Sequence, residues 1–216
     1  MQQETILYLV RHGETDYNRK RIIQGRCINS NLNGTGQAQA KALAARFADV
    51  TLDAIYSSSL SRAQETAQFI ARQHPGVVTY TLSDLEEMSW GIFEGEAFTP
   101  QVQEAFEQIR ARWDQGEYEL CVEGGESIID VQQRGLRALD HILQRHAGQS
   151  VLVVTHGRFL RVLLATLLDD YGLARMHEIA HTNTGVNKVR WRNDRFSIEL
   201  LNCTAHLDAP DTLLIE

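Results

Sequence analysis

Four short apolar runs punctuate the chain, Ile6 to Val10, Ala54 to Ser57, Val77 to Leu82 and Val151 to Thr155, each bounded by polar residues and too short for a helix. They predict buried strands. Amphipathic stretches lie between and after them. Asn33-Gly34-Thr35-Gly36 opens a helix in which Ala40, Leu43 and Phe47 recur at helical spacing, and Ser59 to Ser61 opens another carrying Ala63, Ala67 and Ile70. Ser127 is placed to cap a long helix, with Leu136, Leu139 and Leu143 on one face, that ends near Gly148. Arg158 to Leu168 is almost wholly apolar and predicts a buried helix. Val186 to Trp191 and Phe196 to Leu201 flank the polar turn Arg192-Asn193-Asp194-Arg195, as a terminal hairpin would. Strands alternating with helices predict an α/β fold: a three-layer sandwich with a mostly parallel central sheet and helices on both faces.

At 216 residues with only three prolines and no low-complexity stretch, the chain predicts one domain spanning 1–216 with no linker. A formal charge of -7 argues against a nucleic-acid or anionic-membrane binder, so any anion site must be local. The basic cluster Arg19-Lys20-Arg21 reads as a solvated loop or, alternatively, as the lining of a cleft mouth. Cys27, Cys121 and Cys203 are odd in number and widely spaced, which suggests neither a disulfide framework nor a cysteine zinc site and fits a reducing cytoplasm. Met1 to Val10 has no basic start and too short an apolar run for a signal peptide, and no later run is long enough for a bilayer. The hairpin offers an edge strand that a second copy could cover in a homodimer.

In an open parallel sheet, ligands bind beyond the carboxyl ends of the strands. After the first strand come Arg11 and His12; after the second, Ser57 to Arg62; after the third, Glu86 and Glu87; after the fourth, His156 and Gly157. An imidazole with a free lone pair is a competent nucleophile toward phosphorus, and a guanidinium holds phosphoryl oxygens through paired, charge-assisted hydrogen bonds. Two arginines, two histidines and a carboxylic acid are an inventory for cleaving a phosphate ester without metal. Gly157 permits close backbone approach and begins a helix whose first amides favour an anion.

With Arg11-His12-Gly13-Glu14-Thr15 and Asn18, Gln24-Gly25 and Leu32, Ser57 to Ala63 followed by Glu65-Thr66-Ala67, Leu85-Glu86-Glu87 with Gly91, Gly124-Gly125-Glu126-Ser127 and Thr155-His156-Gly157, the chain resembles the histidine phosphatase superfamily, the branch that includes phosphoglycerate mutases and small phosphomonoesterases. The resemblance covers nearly the whole length. It implies a phosphoglycerate mutase-like fold with a helical cap near 95–125 and no cofactor. It further implies that His12 attacks phosphorus, that Arg11, Arg62 and His156 hold the phosphoryl oxygens, and that Glu87 donates the proton to the leaving alcohol. Partial burial and a neighbouring dianion both help a carboxyl hold that proton. Asn18 and Gln24 match positions that supplement the pocket, or are loop residues bonded to their own backbone. Glu86 is the structural alternative to Glu87.

The implied activity is hydrolysis of small phosphorylated metabolites through a phosphohistidine, phosphoserine-like or broad in specificity. The alternatives are a cofactor-dependent phosphoglycerate mutase and a non-catalytic binder of phosphorylated ligands. A mutase must hold a second anionic group, and between Gly95 and Gly124 Arg110 and Arg112 are outnumbered by acids; Arg158 also replaces the asparagine that mutase-like patterns carry after His-Gly. Both favour the phosphatase. Glu123 to Ser127 and the tail Leu201 to Leu207 resemble metal-independent phosphoserine phosphatases, in which case His206 folds over the site; otherwise it is a tail histidine. Trp90, Phe93 and Phe98 are either a leaving-group wall or core. His177-Glu178-Ile179-Ala180-His181 fits the zinc-protease pattern, but Gly172 and the Thr182-Asn183-Thr184-Gly185 turn leave space for only a short helix, and a third ligand is lacking.

Overall fold

The computed structural model describes residues 4–207. One six-stranded sheet runs in the order β3-β2-β4-β1-β5-β6, built from β1 (Thr5–Arg11), β2 (Ala54–Ser58), β3 (Val78–Leu82), β4 (Ser150–Thr155), β5 (Val186–Arg192) and β6 (Arg195–Cys203). The first four are mutually parallel, while β5 lies antiparallel to β1 and β6 antiparallel to β5. The hairpin thus extends the sheet next to β1. Asn193 and Asp194 both take positive φ, 54° and 58°, as a two-residue primed turn requires.

Among the described residues six α-helices accompany the strands: α1 (Asp16–Arg19), α2 (Gly34–Phe47), α3 (Ser61–Ala71), α4 (Pro100–Asp114), α5 (Ile128–Arg145) and α6 (Gly157–Leu167). Side chains alternate across the strands. Val10, Ile55, Leu152 and Val154 pack with Leu43 and Phe47 of α2 and Ala67 and Ile70 of α3. Leu7, Leu9, Val151 and Val153 face the other way, toward Val131 and Ile142 of α5 and Phe159 and Leu163 of α6. The sandwich therefore has two cores, one on each face of the sheet.

Two expectations need correction. Val77 to Leu82 is not a buried strand: β3 is the sheet's edge, bonded only to β2, and Val78 is 54% exposed. A central strand and an edge strand can carry the same short apolar run, and only the strand order tells them apart. In α5, capped by Ser127 with Asp130 completing the capping box, the buried face is set by Val131, Gly135, Ala138 and Ile142. Leu136 lies roughly a third of a turn from that face and is 41% exposed.

No helix among the described residues is long and apolar enough to cross a membrane.

Candidate active site

The register of the sheet assembles the site. Arg11 of β1 pairs with Thr155 of β4, so His12 and His156, one residue further on, emerge side by side with ring centroids 5.1 Å apart. Ser57 of β2 pairs with Val154, which brings Ser58 alongside; its Oγ lies 2.8 Å from Nε2 of His156. Ser58 was part of the sequence motif but had no role assigned.

Both imidazoles are buried. The His12 Nδ1 lies 2.7 Å from the Gly13 carbonyl, which can only accept, so Nδ1 carries the proton and Nε2 keeps the lone pair. His156 takes the opposite tautomer. Arg62 Nε donates to its Nδ1 at 3.2 Å, which leaves the proton on Nε2 for Ser58. Burial, then the Arg62 guanidinium, hold both histidines well below the ordinary range, so both rings are neutral.

Arg62, at the start of α3, is fully buried and donates to the carbonyls of Ile28 and Gly25 at 2.7 and 3.2 Å. Arg11 donates through Nη1 to the His181 carbonyl at 2.6 Å, while its Nε is buried without a partner among the described residues. Desolvation lowers each guanidinium to about 10, and Glu87 is the carboxylate that partly offsets this in both.

Glu87 is buried against the first turn of α6. Its Oε1 accepts from the amides of Met88 and Phe159, each at 2.9 Å, and its Oε2 from Arg158 at 3.1 Å. The adjacent Glu86 points away, to Arg26 Nε at 2.7 Å and to the Ser59 hydroxyl. Beneath them Arg134 of α5, 3% exposed, grips Glu126 with two bonds and the carbonyls of Asp84, Glu86 and Glu87 with three more. Sequence reasoning missed Arg134. The available signal was a charged residue at a core-facing position of an otherwise clean amphipathic helix.

A cleft of about 230 Å³ is walled by Arg11, Gln24, Glu87, Gly157, Arg158 and His181 together with Trp90, Phe98, Phe106 and Ile23. A Cβ on Gly157 would come within 2.3 Å of the His181 ring and 3.3 Å of Arg11 Nε, so glycine is what allows this wall to close. Gln24 donates to Thr15 Oγ1 at 2.7 Å and accepts from Ser30 at 2.6 Å. Asn18 serves as the third residue of α1 in a capping box with Thr15. His206 is elsewhere: its ring nitrogens meet Arg46 of α2 at 3.2 Å and Thr184 at 3.0 Å. It reaches the site only indirectly, because the Thr184 amide bonds the carbonyls of Arg11 and His12. Phe106, missed in the sequence, is the hub of the aromatic wall, with Trp90, Phe93 and Phe98 centroids 4.7, 5.3 and 5.5 Å away.

The zinc-protease pattern has no helix to stand on. His177 ends up in a 3-10 turn (Leu173–Glu178), stacked on Trp113, Glu178 pairs with Arg175, and His181 lies in the following loop beside Gly157. In the segment between Gly95 and Gly124, Arg112 pairs with Glu117, while Phe106 and the exposed Gln103, Glu107 and Arg110 of α4 border a second cavity of about 200 Å³ beside the cleft.

Residues 7–204 match the model of the histidine phosphatase superfamily (branch 1). A metal-independent phosphoserine phosphatase of Arabidopsis thaliana is 33% identical over 207 residues, which are 95% of this chain and 84% of that one. A probable phosphoglycerate mutase GpmB of Yersinia pestis is 35% identical over 211 residues, 94% and 95% of the two chains. A phosphoserine phosphatase from Entamoeba histolytica, solved with 3-phosphoglyceric acid, superposes with a TM-score of 0.80 at 28% identity over 94% of this chain and 99% of that one.

Proposed function

We propose that this chain, which belongs to branch 1 of the histidine phosphatase superfamily, hydrolyses small phosphomonoesters through a phosphohistidine on His12 and without a metal. The observation that carries the reading is a neutral, buried imidazole, its Nδ1 spent on a backbone carbonyl, set among the half-buried guanidinium of Arg11 and the buried one of Arg62 with His156 beside it. Among the described residues Arg11 Nε is left without a partner, a donor suited to a phosphoryl oxygen.

In this reading the substrate's phosphoryl oxygens take up Arg11, Arg62 and His156. His156 stays neutral and offers its Nε2 proton, which Ser58 otherwise accepts, as a further donor. The His12 Nε2 lone pair forms the P–N bond as the P–O bond to the alcohol breaks, and Glu87 delivers a proton to the departing oxygen. Water then loses its proton to Glu87 and attacks phosphorus; the P–N bond breaks, returning neutral His12 and inorganic phosphate. Preorganised charge of this kind is worth about 3–4 kcal/mol per donor, and general acid help about 10²–10⁴-fold. The name of the Arabidopsis relative and the bound 3-phosphoglyceric acid of the Entamoeba structure support a small phosphorylated metabolite as substrate.

The test is phosphate release from phosphoserine, 3-phosphoglycerate, sugar phosphates and an aryl phosphate in excess EDTA. Release that disappears in His12→Ala is the expected result. Release that survives the substitution, or that EDTA abolishes, overturns the reading; phosphoryl exchange between 2- and 3-phosphoglycerate without release would make the protein a mutase.

A further inference from the structure

Just before β5 the chain folds back onto the end of β1, and Thr184 in that turn is strained. It is fully buried yet takes a φ of 56°, a left-handed conformation in which a β-branched residue is a clear outlier. Backbone strain persists only where the surroundings over-determine it, and it gathers at functional sites. The surroundings here are Arg11 and His12. The Thr184 amide donates to their carbonyls at 3.0 and 3.3 Å, and the side-chain amide of Asn183 donates to the same His12 carbonyl at 3.0 Å. The Thr184 hydroxyl donates to the Asn183 carbonyl at 2.8 Å and meets the His206 ring at 3.0 Å. From β6, Asn202 braces Thr182, accepting from its amide at 2.8 Å and donating to its hydroxyl at 3.0 Å.

The His12 carbonyl shares a rigid peptide plane with the Gly13 amide, and that amide donates to Thr66 Oγ1 of α3 at 3.1 Å. One plane is therefore pinned at both ends, by Asn183 and Thr184 at its oxygen and by Thr66 at its nitrogen. Its tilt matters because the next carbonyl, that of Gly13, accepts from His12 Nδ1 at 2.7 Å and so sets the tautomer and rotation of the ring. A tilt swings that carbonyl and re-aims the Nε2 lone pair. Thr66 carries the constraint further, since its hydroxyl donates to the Arg62 carbonyl at 2.7 Å. The remaining approach of Asn183 Nδ2 is to Asn18 Oδ1, at 3.5 Å.

We propose that Asn183 is a positioning residue for the nucleophile, holding the His12–Gly13 peptide so that Nε2 of His12 stands in line for attack on phosphorus. The inference rests on the phosphatase reading of the site. Among the described residues Asn183 does not line the cleft, so it acts on substrate only through His12. Its effect falls on formation of the P–N bond and leaves the grip of Arg62 and His156 on the phosphoryl oxygens intact. The left-handed backbone at Thr184 has a use in this account, because it lets one turn aim a backbone amide and the preceding side chain at a single carbonyl.

Two anions separate positioning from plain structural support. Inorganic phosphate reports ground-state binding, whereas orthovanadate, which can take the His12 nitrogen as a fifth ligand, reports the geometry of attack. In Asn183→Ala, kcat/KM on the ester that the wild type cleaves fastest should fall about 10–100-fold, with vanadate affinity falling in step and phosphate affinity changing less than about twofold. Asn183→Asp, of the same size, should lose more, because it sets a carboxylate against the His12 carbonyl and Asn18 Oδ1. Circular dichroism establishes that each variant is folded. Unchanged kcat/KM, parallel losses of phosphate and vanadate affinity, or failure of both variants to fold overturns the proposal. Calorimetric affinities for the two anions read the same split even where no ester turns over. The wild type separates the two readings: if it releases no phosphate the phosphatase reading fails, whereas if it does and the variants show no split only the Asn183 assignment fails.

Discussion

Replacing Arg134 by methionine is the sharpest test of how the Glu87 carboxylate is held. All five N–H groups of this guanidinium are committed: Nε and one Nη2 hydrogen to Glu126 at 2.8 and 3.0 Å, both Nη1 hydrogens to the carbonyls of Asp84 and Glu86 at 3.0 and 2.6 Å, and the last to Glu87 at 3.0 Å. Methionine fills most of the volume and keeps contact with Phe159, over which the guanidinium lies at 5.2 Å, but supplies no donor. Glu126 keeps Arg26 at 3.2 Å and the Ser89 amide at 2.8 Å, so its charge is not orphaned, but three carbonyls lose their donor. The side chains of Arg134 and Glu126 are 3% and 15% exposed, so this is a buried pair, and breaking one from a single side costs about 3–5 kcal/mol. For a domain of this size that lowers Tm by roughly 6–20 °C. Urea unfolding followed by fluorescence and circular dichroism measures it. Activity supplies a second readout, because the chain on both sides of Glu87 loses its clamp. In the folded variant, kcat on an alkyl phosphate, which needs the proton, should fall more than kcat on an aryl phosphate. A destabilisation under about 1 kcal/mol, or equal losses on the two esters, would refute the argument.

Glu87→Gln should reduce kcat on alkyl phosphates about 10²–10⁴-fold and on a good aryl leaving group far less; equal losses would remove Glu87 from the acid role. The depressed histidines make stability acid-sensitive. Their folded values lie below the ordinary 6.5, so between the two the unfolded chain binds more protons, and the stability present above 6.5 is lost as pH falls below it. Each of His12 and His156 contributes at most about 1.4 kcal/mol per pH unit, visible as a falling denaturant midpoint from pH 6.5 to 5; a flat midpoint would mean that the native rings take up protons as readily as the unfolded ones. On α5, Leu139→Ala should cost about 2–4 kcal/mol and the exposed Leu136→Ala less than 0.5, a contrast that thermal unfolding reads directly.

The sequence alone carried the local grammar of this protein. Apolar runs and helix caps gave the six strands and four of the helices, the rule that ligands gather beyond parallel strand ends pointed to Arg11, His12, Ser57 to Arg62, Glu86, Glu87 and His156, and the family resemblance then chose Arg62 and Glu87 among them. These signals are legible because they depend on neighbours in the chain: a period, a cap, a residue just past a strand. The tertiary structure decided whatever depends on neighbours in space. Strand order made β3 an edge and joined the hairpin to β1. The pairing of Arg11 with Thr155 set the two histidines side by side, and hydrogen bonds then fixed opposite tautomers on them. Glu86 and Glu87 are adjacent letters, yet one faces Arg26 and the other the helix that begins at Gly157, because successive side chains on extended backbone point opposite ways. His206 went to Arg46 and Thr184 for a related reason, since a tail's destination is set by the surface that receives it. Charge was the least legible of all. A formal sum weights every acid and base alike, whereas desolvation acts on Arg11 and Arg62 and leaves the Arg112–Glu117 pair to water.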